Sequence, residues 1–212
     1  MKFAVFGCGM MASALIYDLV QDPGIELVYA CDISYLKARA MEDRFPGVKA
    51  VEVDISDANA VAEILKDVDT ALGFASYHYN YELSRIAIET KTNFCDLGGN
   101  NTVVKQQFTL NEKAKENAVT IVPDCGLAPG MVNILTANGC NNLDVVEEVK
   151  IRVGGLPLDR NTSPIGYSIF FSVRGLINEY VEPVSIIRNW KQETIEPLTE
   201  IEEIEFPAPY GI

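Results

Sequence analysis

The feature that most constrains this chain is a glycine-bearing turn set directly behind a short apolar run. Lys2–Phe6 is strand-like, Gly7-Cys8-Gly9-Met10-Met11-Ala12 follows without a spacer, and residues 10–20 carry apolar side chains at helical spacing until Asp22-Pro23-Gly24 stops them. A strand that passes straight into a helix needs a residue without Cβ at the turn, and Gly7 supplies it. Gly9 leaves the main chain bare, so a diphosphate can approach it, and Ala12 lets the helix pack close to the strand. The first helical turn presents unpaired N–H groups and the positive end of the helix dipole. Such a turn alone is a weak signal. Its position behind a strand, ahead of a helix and at the head of an alternating pattern strengthens it.

The alternation continues for about half the chain. Residues 26–31, 48–53, 69–74, 93–97 and 119–123 read as strands, and 35–44, 58–66, 79–90 and 102–117 as the helices between them, with Asp57 as a helix N-cap. Six strands alternating with helices predict an α/β fold over residues 1–124, a doubly wound parallel sheet of the Rossmann type. The grammar then changes. Residues 129–138 read as a helix capped by Gly139. The apolar stretches 145–153, 167–173, 184–188 and 201–206 follow, several of them joined without helices. They predict a second, α+β domain over residues 125–212. The acidic run from Glu193 to Glu205 reads as solvated strand faces.

In a doubly wound sheet, ligands sit beyond the carboxyl ends of the strands. The glycine turn therefore predicts a dinucleotide site built from Gly7, Gly9, Met10 and Met11. Asp32, about 20 residues past the turn at the end of the second strand, is placed for the adenosine ribose hydroxyls. A carboxylate there repels a 2′-phosphate and favours NAD, while Lys37 and Arg39 nearby weaken that preference and leave NADP open. The other strand ends add Ile33, Asp54, Ile55, Ala75, Ser76 and Gly98 to the cofactor site. Asp32 as a cap of the next helix and Asp54 as plain turn chemistry are the competing structural readings.

Composition limits the partners. The 212 residues carry 17 Lys and Arg against 30 Asp and Glu, a net charge of −13. So acidic a surface repels nucleic-acid phosphates. No apolar run approaches the ~20 residues of a membrane helix. The N-terminus lacks the longer apolar stretch of a signal peptide, which places the protein in the cytoplasm. The five cysteines, Cys8, Cys31, Cys95, Cys125 and Cys140, contain no Cys-x-x-Cys pair and predict neither disulfides nor a zinc site. Four of them fall at predicted strand ends, where a thiol site and small buried hydrophobes are both readings.

Three later segments are more specific. Residues 123–133 read Pro-Asp-Cys-Gly-Leu-Ala-Pro-Gly-Met-Val-Asn, then comes Gly154-Gly155-Leu156-Pro157, then Phe171-Ser172-Val173-Arg174-Gly175-Leu176-Ile177-Asn178-Glu179-Tyr180 with Pro183. In this order they resemble the saccharopine dehydrogenase-like family, and the last segment is most similar to its L-lysine 6-dehydrogenase members. Val153 stands where saccharopine reductases commonly carry a cysteine. Family members usually continue beyond the point matching Pro209-Tyr210-Gly211, so the resemblance implies a second domain only partly present in these residues, with exposed sheet edges.

The resemblance implies an NAD(P)-dependent oxidoreductase acting on the amine of a small amino acid substrate, with lysine ε-deamination as the leading reaction. It also implies a homodimer formed through the second domain. Saccharopine or carboxynorspermidine reduction is a second reading, and a dinucleotide-binding module without catalysis is a third. Amine oxidation needs a base that keeps the amine neutral and a group that holds the α-carboxylate. Asp124, after the sixth strand, is the candidate for the amine, against a helix-capping role. Tyr77 and His78, after the fourth strand, border the same end, against a solvated-loop role. Gly130 leads into a helix whose N-terminus suits a carboxylate. Arg174 suits the same anion bidentately, against a surface role. Gly154 permits close approach of a ligand, or simply a turn.

Overall fold

The computed structural model describes residues 1–155, 157, 164 and 166–208. Leu156 of the Gly-Gly-Leu-Pro segment and Pro209, Tyr210 and Gly211 lie outside the described residues. The chain divides into two compact units, Met1–Ile151 and Arg152–Ile212.

The first unit is built on a six-stranded parallel sheet ordered β3-β2-β1-β4-β5-β6. Its strands are β1 Lys2–Phe6, β2 Leu27–Asp32, β3 Val48–Glu52, β4 Thr70–Gly73, β5 Asn93–Asp96 and β6 Ile121–Val122. The connecting helices are α1 Met10–Leu19, α2 Tyr35–Arg44, α3 Ala58–Leu65, α4 Asn80–Thr90, α5 Asn101–Phe108 and α6 Asn111–Glu116, with a 3-10 turn at Tyr77–Tyr79 before α4. The order reverses between β1 and β4, which opens a crevice at their carboxyl ends.

Strand periodicity explains the two-sided core. Alternate residues of a strand face opposite sides. Along β1, Ala4 and Phe6 pack with Val61 and Leu65 of α3 and Leu83 and Ala87 of α4. Val5 points the other way, among Ala12 and Ile16 of α1 and Ala38 of α2. Each fully buried aliphatic here contributes about 1.5–3 kcal/mol. Local chemistry sets the helix starts. Asp57 caps α3, its carboxylate accepting from Asn59 N at 3.0 Å and Ala60 N at 3.1 Å, as its position predicts. Asn100 caps α5 by accepting from Val103 N at 3.0 Å.

Several expectations require correction. Residues 102–117 form two helices, because the chain turns at Thr109-Leu110 to bury Leu110. Helix α7 runs Met131–Asn141, so Gly139 lies inside it rather than capping it. The stretches 145–153 and 201–206 carry no named strand, and Val145 and Ile201 stand in solvent at 75% and 91% exposure.

In the second unit, the stretch 167–173 is not a strand either. It leads into α8 Val173–Val181, which Ser172 caps by accepting from Gly175 N. The hairpin β7 Val184–Arg188 and β8 Lys191–Ile195 is antiparallel. Of the acidic run only Glu193 lies in a strand; Glu193 and Glu200 pair with Arg188 at 3.5 and 2.7 Å, and Glu202 pairs with Arg152.

Candidate dinucleotide groove and carboxylate site

The first site is the glycine turn and what it faces. Gly7 has φ +103°, and a Cβ there would sit 2.6 Å from Ala75 N and 2.7 Å from the Phe74 carbonyl. The turn thus lies against the main chain that follows β4, where only glycine fits. At Gly9, the N-cap of α1, an added Cβ would meet nothing within 4 Å. That open space lies at the helix N-terminus, where a diphosphate finds free N–H groups. Met10 and Met11 form the first turn of α1 and are both exposed, while Ala12 is buried.

Asp32 braces this turn. Its Oδ2 accepts from Cys8 N and its Oδ1 from Ser34 N, each at 2.8 Å. One carboxylate therefore fixes the glycine turn and the entry to α2 together. Each oxygen keeps a second acceptor position, so the two readings of Asp32, structural brace and ribose ligand, are compatible. Arg39 is held by Glu42 and Asp43 of its own helix, at 3.2 and 2.8 Å, and is thereby drawn into that ion-pair cluster.

A groove of about 160 Å³ is lined by Gly7, Asp32, Ile33, Asp54, Ile55 and Ala75, with Tyr79 also in its lining. Asp54 also forms a local turn, accepting from Ser56 N at 2.8 Å and Ser56 Oγ at 2.7 Å. The Ser56 hydroxyl holds the Asp54 carboxyl below its ordinary range. Of the expected cofactor residues, Gly9, Met10, Met11, Ser76 and Gly98 are absent from this lining. Ser76 is the N-cap of the 3-10 turn, and Gly98 belongs to the second cluster. Tyr79 is a groove residue that the sequence reading missed, its place inside an expected helix having hidden it.

The second cluster lies beyond β5 and β6. Asp124 has a left-handed backbone, φ +59°, and its carboxylate fills the place that a Cβ on Gly98 would take. Burial pushes the Asp124 carboxyl up from the ordinary carboxylate range, the charge of Asp96 pushes it further, and the Gly99 N–H pulls the other way. Tyr77 lies over Gly99, its ring 3.4 Å from where a Cβ would stand. His78 lies against Tyr77, with ring centroids 4.2 Å apart and ring planes tilted by 41°. Asp124, Gly98, Tyr77 and His78 are thus neighbours around one Gly-Gly turn.

Gly130 is the N-cap of α7, with φ +126° and its N–H donating to Asn133 Oδ1 at 3.0 Å. Pro129 precedes the helix instead of standing in its first turn, and its peptide bond with Ala128 is cis. Gly154 and Arg174 belong to the second unit. A Cβ on Gly154 would meet nothing within 4 Å. Arg174 stands in the first turn of α8, not between a strand and a glycine. Two of the strand-end thiols are held in the protonated form: burial first, then the nearby Asp32 charge, pushes Cys8 up to about 12, and burial followed by contact with Cys125 pushes Cys95 up to about 12.

Among the described residues no helix is long and apolar enough to cross a membrane. Two family models match the chain: the saccharopine dehydrogenase NADP binding domain over residues 3–122 and the saccharopine dehydrogenase C-terminal domain over residues 126–210. The chain is 24% identical over 216 residues to saccharopine dehydrogenase [NADP(+), L-glutamate-forming] of Saccharomyces cerevisiae, covering 98% of this chain and 46% of that protein. It is 25% identical over 161 residues to the alpha-aminoadipic semialdehyde synthase of Arabidopsis thaliana, covering 73% of this chain and 15% of the plant protein. The apo structure of the S. cerevisiae saccharopine dehydrogenase (L-Glu forming) superposes with a TM-score of 0.71 at 22% identity, over 92% of this chain and 44% of that one. The chain therefore spans less than half the length of these relatives. With the first model alone covering more than half of the residues, and both models in the expected order, the chain belongs to the saccharopine dehydrogenase family.

Proposed function

We propose that the chain is the nucleotide-binding part, with some of the substrate-binding part, of an NAD(P)-dependent oxidoreductase that acts on the carbon–nitrogen bond of an amino acid. One observation carries this reading. A carboxylate with raised proton affinity, Asp124, stands at the carboxyl end of the same sheet whose first turn is open at Gly9. Asp32, Ile33, Asp54 and Ile55 hold the adenosine half of the cofactor, and Gly7, Gly9, Met10 and Met11 border its diphosphate. Asp32 favours NAD. The family model's NADP binding domain keeps NADP as the alternative cofactor.

For lysine the balanced reaction takes R–CH2–NH3+, water and the oxidised dinucleotide to R–CHO, NH4+, the reduced dinucleotide and one proton. The bound nicotinamide supplies a hydride acceptor. Asp124 accepts a proton from the ammonium group, so that the nitrogen lone pair is free when the adjacent C–H bond breaks. Asp124 passes that proton to solvent as the one released overall, and the two hydrogens of the water that replaces nitrogen complete the departing ammonium. Tyr77 and His78 line the same end and orient the amine. Gly130, at the N-terminus of α7, serves the α-carboxylate. The ε-deamination of lysine is the first specific reading, carried by the 171–180 segment. Oxidation of the secondary amine of saccharopine is the second, favoured by the relatives' activities.

The test is to follow reduced-cofactor absorbance with NAD or NADP and a panel of lysine, saccharopine and diamines. NAD-dependent turnover of an amino acid amine is the expected result. No turnover with any member, together with a dinucleotide-induced rise in Tm, would instead support a binding module without catalysis.

A further inference from the structure

Asp96 ends β5 at 1% exposure and is the only charged residue buried among the described residues. Its Oδ1 accepts from Gly98 N at 2.7 Å and its Oδ2 from Gln107 Nε2 at 2.6 Å. The Asp124 N–H and the Asn80 side chain also donate to this carboxylate. Gln107 Nε2 reaches Ser84 Oγ at 2.9 Å, and that hydroxyl donates to Asn80 O at 2.8 Å. Gly73 makes the room: a Cβ there would sit 3.1 Å from Asp96 Cβ and 3.2 Å from Asn80 Oδ1. The main-chain carbonyl of Asp96 takes the Cys125 N–H at 2.7 Å.

These contacts come from four separate elements and meet on one side chain. Four donors occupy the lone-pair positions of an ionised carboxylate. Burial raises the proton affinity of Asp96, and those donors oppose it. The residues on either side of Asp96–Asp124 are thus fixed: Asp124 is bonded through its own N–H to the Asp96 carboxylate, and its successor through its N–H to the Asp96 carbonyl.

We propose that Asp96 is a positioning residue for Asp124, holding its main chain in the left-handed conformation and setting a fixed negative charge beside its carboxyl. The proposal rests on the reading of Asp124 as the group that meets the substrate amine. The other titratable groups around Asp124 are Cys125 next in sequence, Cys95 on β5, and Tyr77 and His78 after β4. The titration of Asp124 itself is set first by burial and second by Asp96. Removing the Asp96 charge leaves the burial in place, so the effect on Asp124 is partial.

The experiment is a carboxyl 13C NMR titration of the full chain labelled at aspartate, with signals assigned by triple resonance, in wild type, Asp96→Asn and Asp124→Asn. In wild type Asp124 titrates above the ordinary carboxylate range. In Asp96→Asn its midpoint falls by roughly one pH unit, the effect of losing a like charge a few ångströms away in a partly solvated site. As the fixed charge, Asp96 ionises first, while Asp124 is still neutral, so in wild type its midpoint lies below that of Asp124 and Asp124→Asn leaves it in place; this order keeps the test decisive should Asp96→Asn fail to fold. An ordinary Asp124 midpoint in wild type, an Asp96 midpoint at or above it, or an Asp124 midpoint unmoved in Asp96→Asn overturns the proposal. A merely structural Asp96 would lower Tm without moving the Asp124 midpoint. The titration needs neither cofactor nor substrate. Unchanged turnover in Asp124→Asn would instead remove the amine-base reading, whatever the titration shows.

Discussion

Two glycines of the same turn, separated by Cys8, make opposite predictions, and the pair separates folding from binding. In Gly7→Ala the new Cβ meets main-chain atoms of Phe74 and Ala75 at 2.6–2.7 Å, with φ at +103°. Main chain cannot rotate away as a side chain does. A strained φ costs about 1–3 kcal/mol, and forcing a methyl into a packed site costs about 1–3 kcal/mol more. The sum, about 2–6 kcal/mol, corresponds to a fall in Tm of roughly 5–20 °C for a chain of this size.

In Gly9→Ala the Cβ meets nothing within 4 Å, and φ is −81°. Stability is therefore kept or raised, by about 0.4–1 kcal/mol through the stiffer unfolded chain. The same methyl projects where the diphosphate approaches. A clash there of about 1–3 kcal/mol weakens dinucleotide binding by roughly ten- to a hundredfold. Circular dichroism melting reads the first effect and calorimetric titration with NAD and NADP the second. A Gly7→Ala protein as stable as wild type, or a Gly9→Ala protein that binds dinucleotide as tightly, would refute the reasoning.

Three further outcomes follow from other parts of the molecule. Asp57→Ala removes both hydrogen bonds of the α3 cap and costs about 1 kcal/mol, read as a Tm fall of roughly 2–4 °C, and an unchanged Tm would deny the cap any role. Asp124→Asn abolishes turnover of the amino acid substrate while leaving dinucleotide affinity intact. The raised proton affinity of Asp124 in the folded state means its contribution favours folding at acid pH and is lost as pH rises through its folded value. Asp124→Asn should therefore raise Tm at neutral pH and not at acid pH, and melting across pH checks both. Under native conditions a thiol reagent should modify exposed Cys125 before buried Cys8 and Cys31, burial also holding both buried thiols in the protonated form; mass spectrometry of partly labelled protein reads the order.

The sheet of the first unit was legible because its strands and helices obey local rules. Lys2–Phe6 and Tyr35–Arg44 coincide with the sequence reading to the residue, and Asp57 caps where its position predicts. What escaped was decided by distant partners. Asp96 reads as one polar residue in a strand, and only the convergence of Asn80, Gln107 and Asp124 gives it a role. The single helix expected over residues 102–117 breaks because Leu110 turns inward, a tertiary choice that no local propensity records. In the second unit, Phe170, Phe171 and Val173 read as strand by their β propensity, whereas Ser172 turns the chain into α8. The expected cofactor residues that line the groove sit at the carboxyl ends of neighbouring strands, so strand counting found them. Tyr79 enters the groove from a helical connection, so strand counting passed over it.

Strand β6 is two residues long, and its ladder joins only Phe94 to Ile121 and Cys95 to Val122. It nevertheless leads straight into Asp124. A segment tied by so few ladder bonds opens locally at low free energy, and its amides exchange with solvent long before those of the central strands. Here the Asp96 side chain and carbonyl replace the missing rungs by holding Asp124 and Cys125 individually. The chemical end of the sheet is thus secured by a side-chain anchor on a short edge. Hydrogen exchange at residues 121–125 should report the state of that anchor with β1 undisturbed.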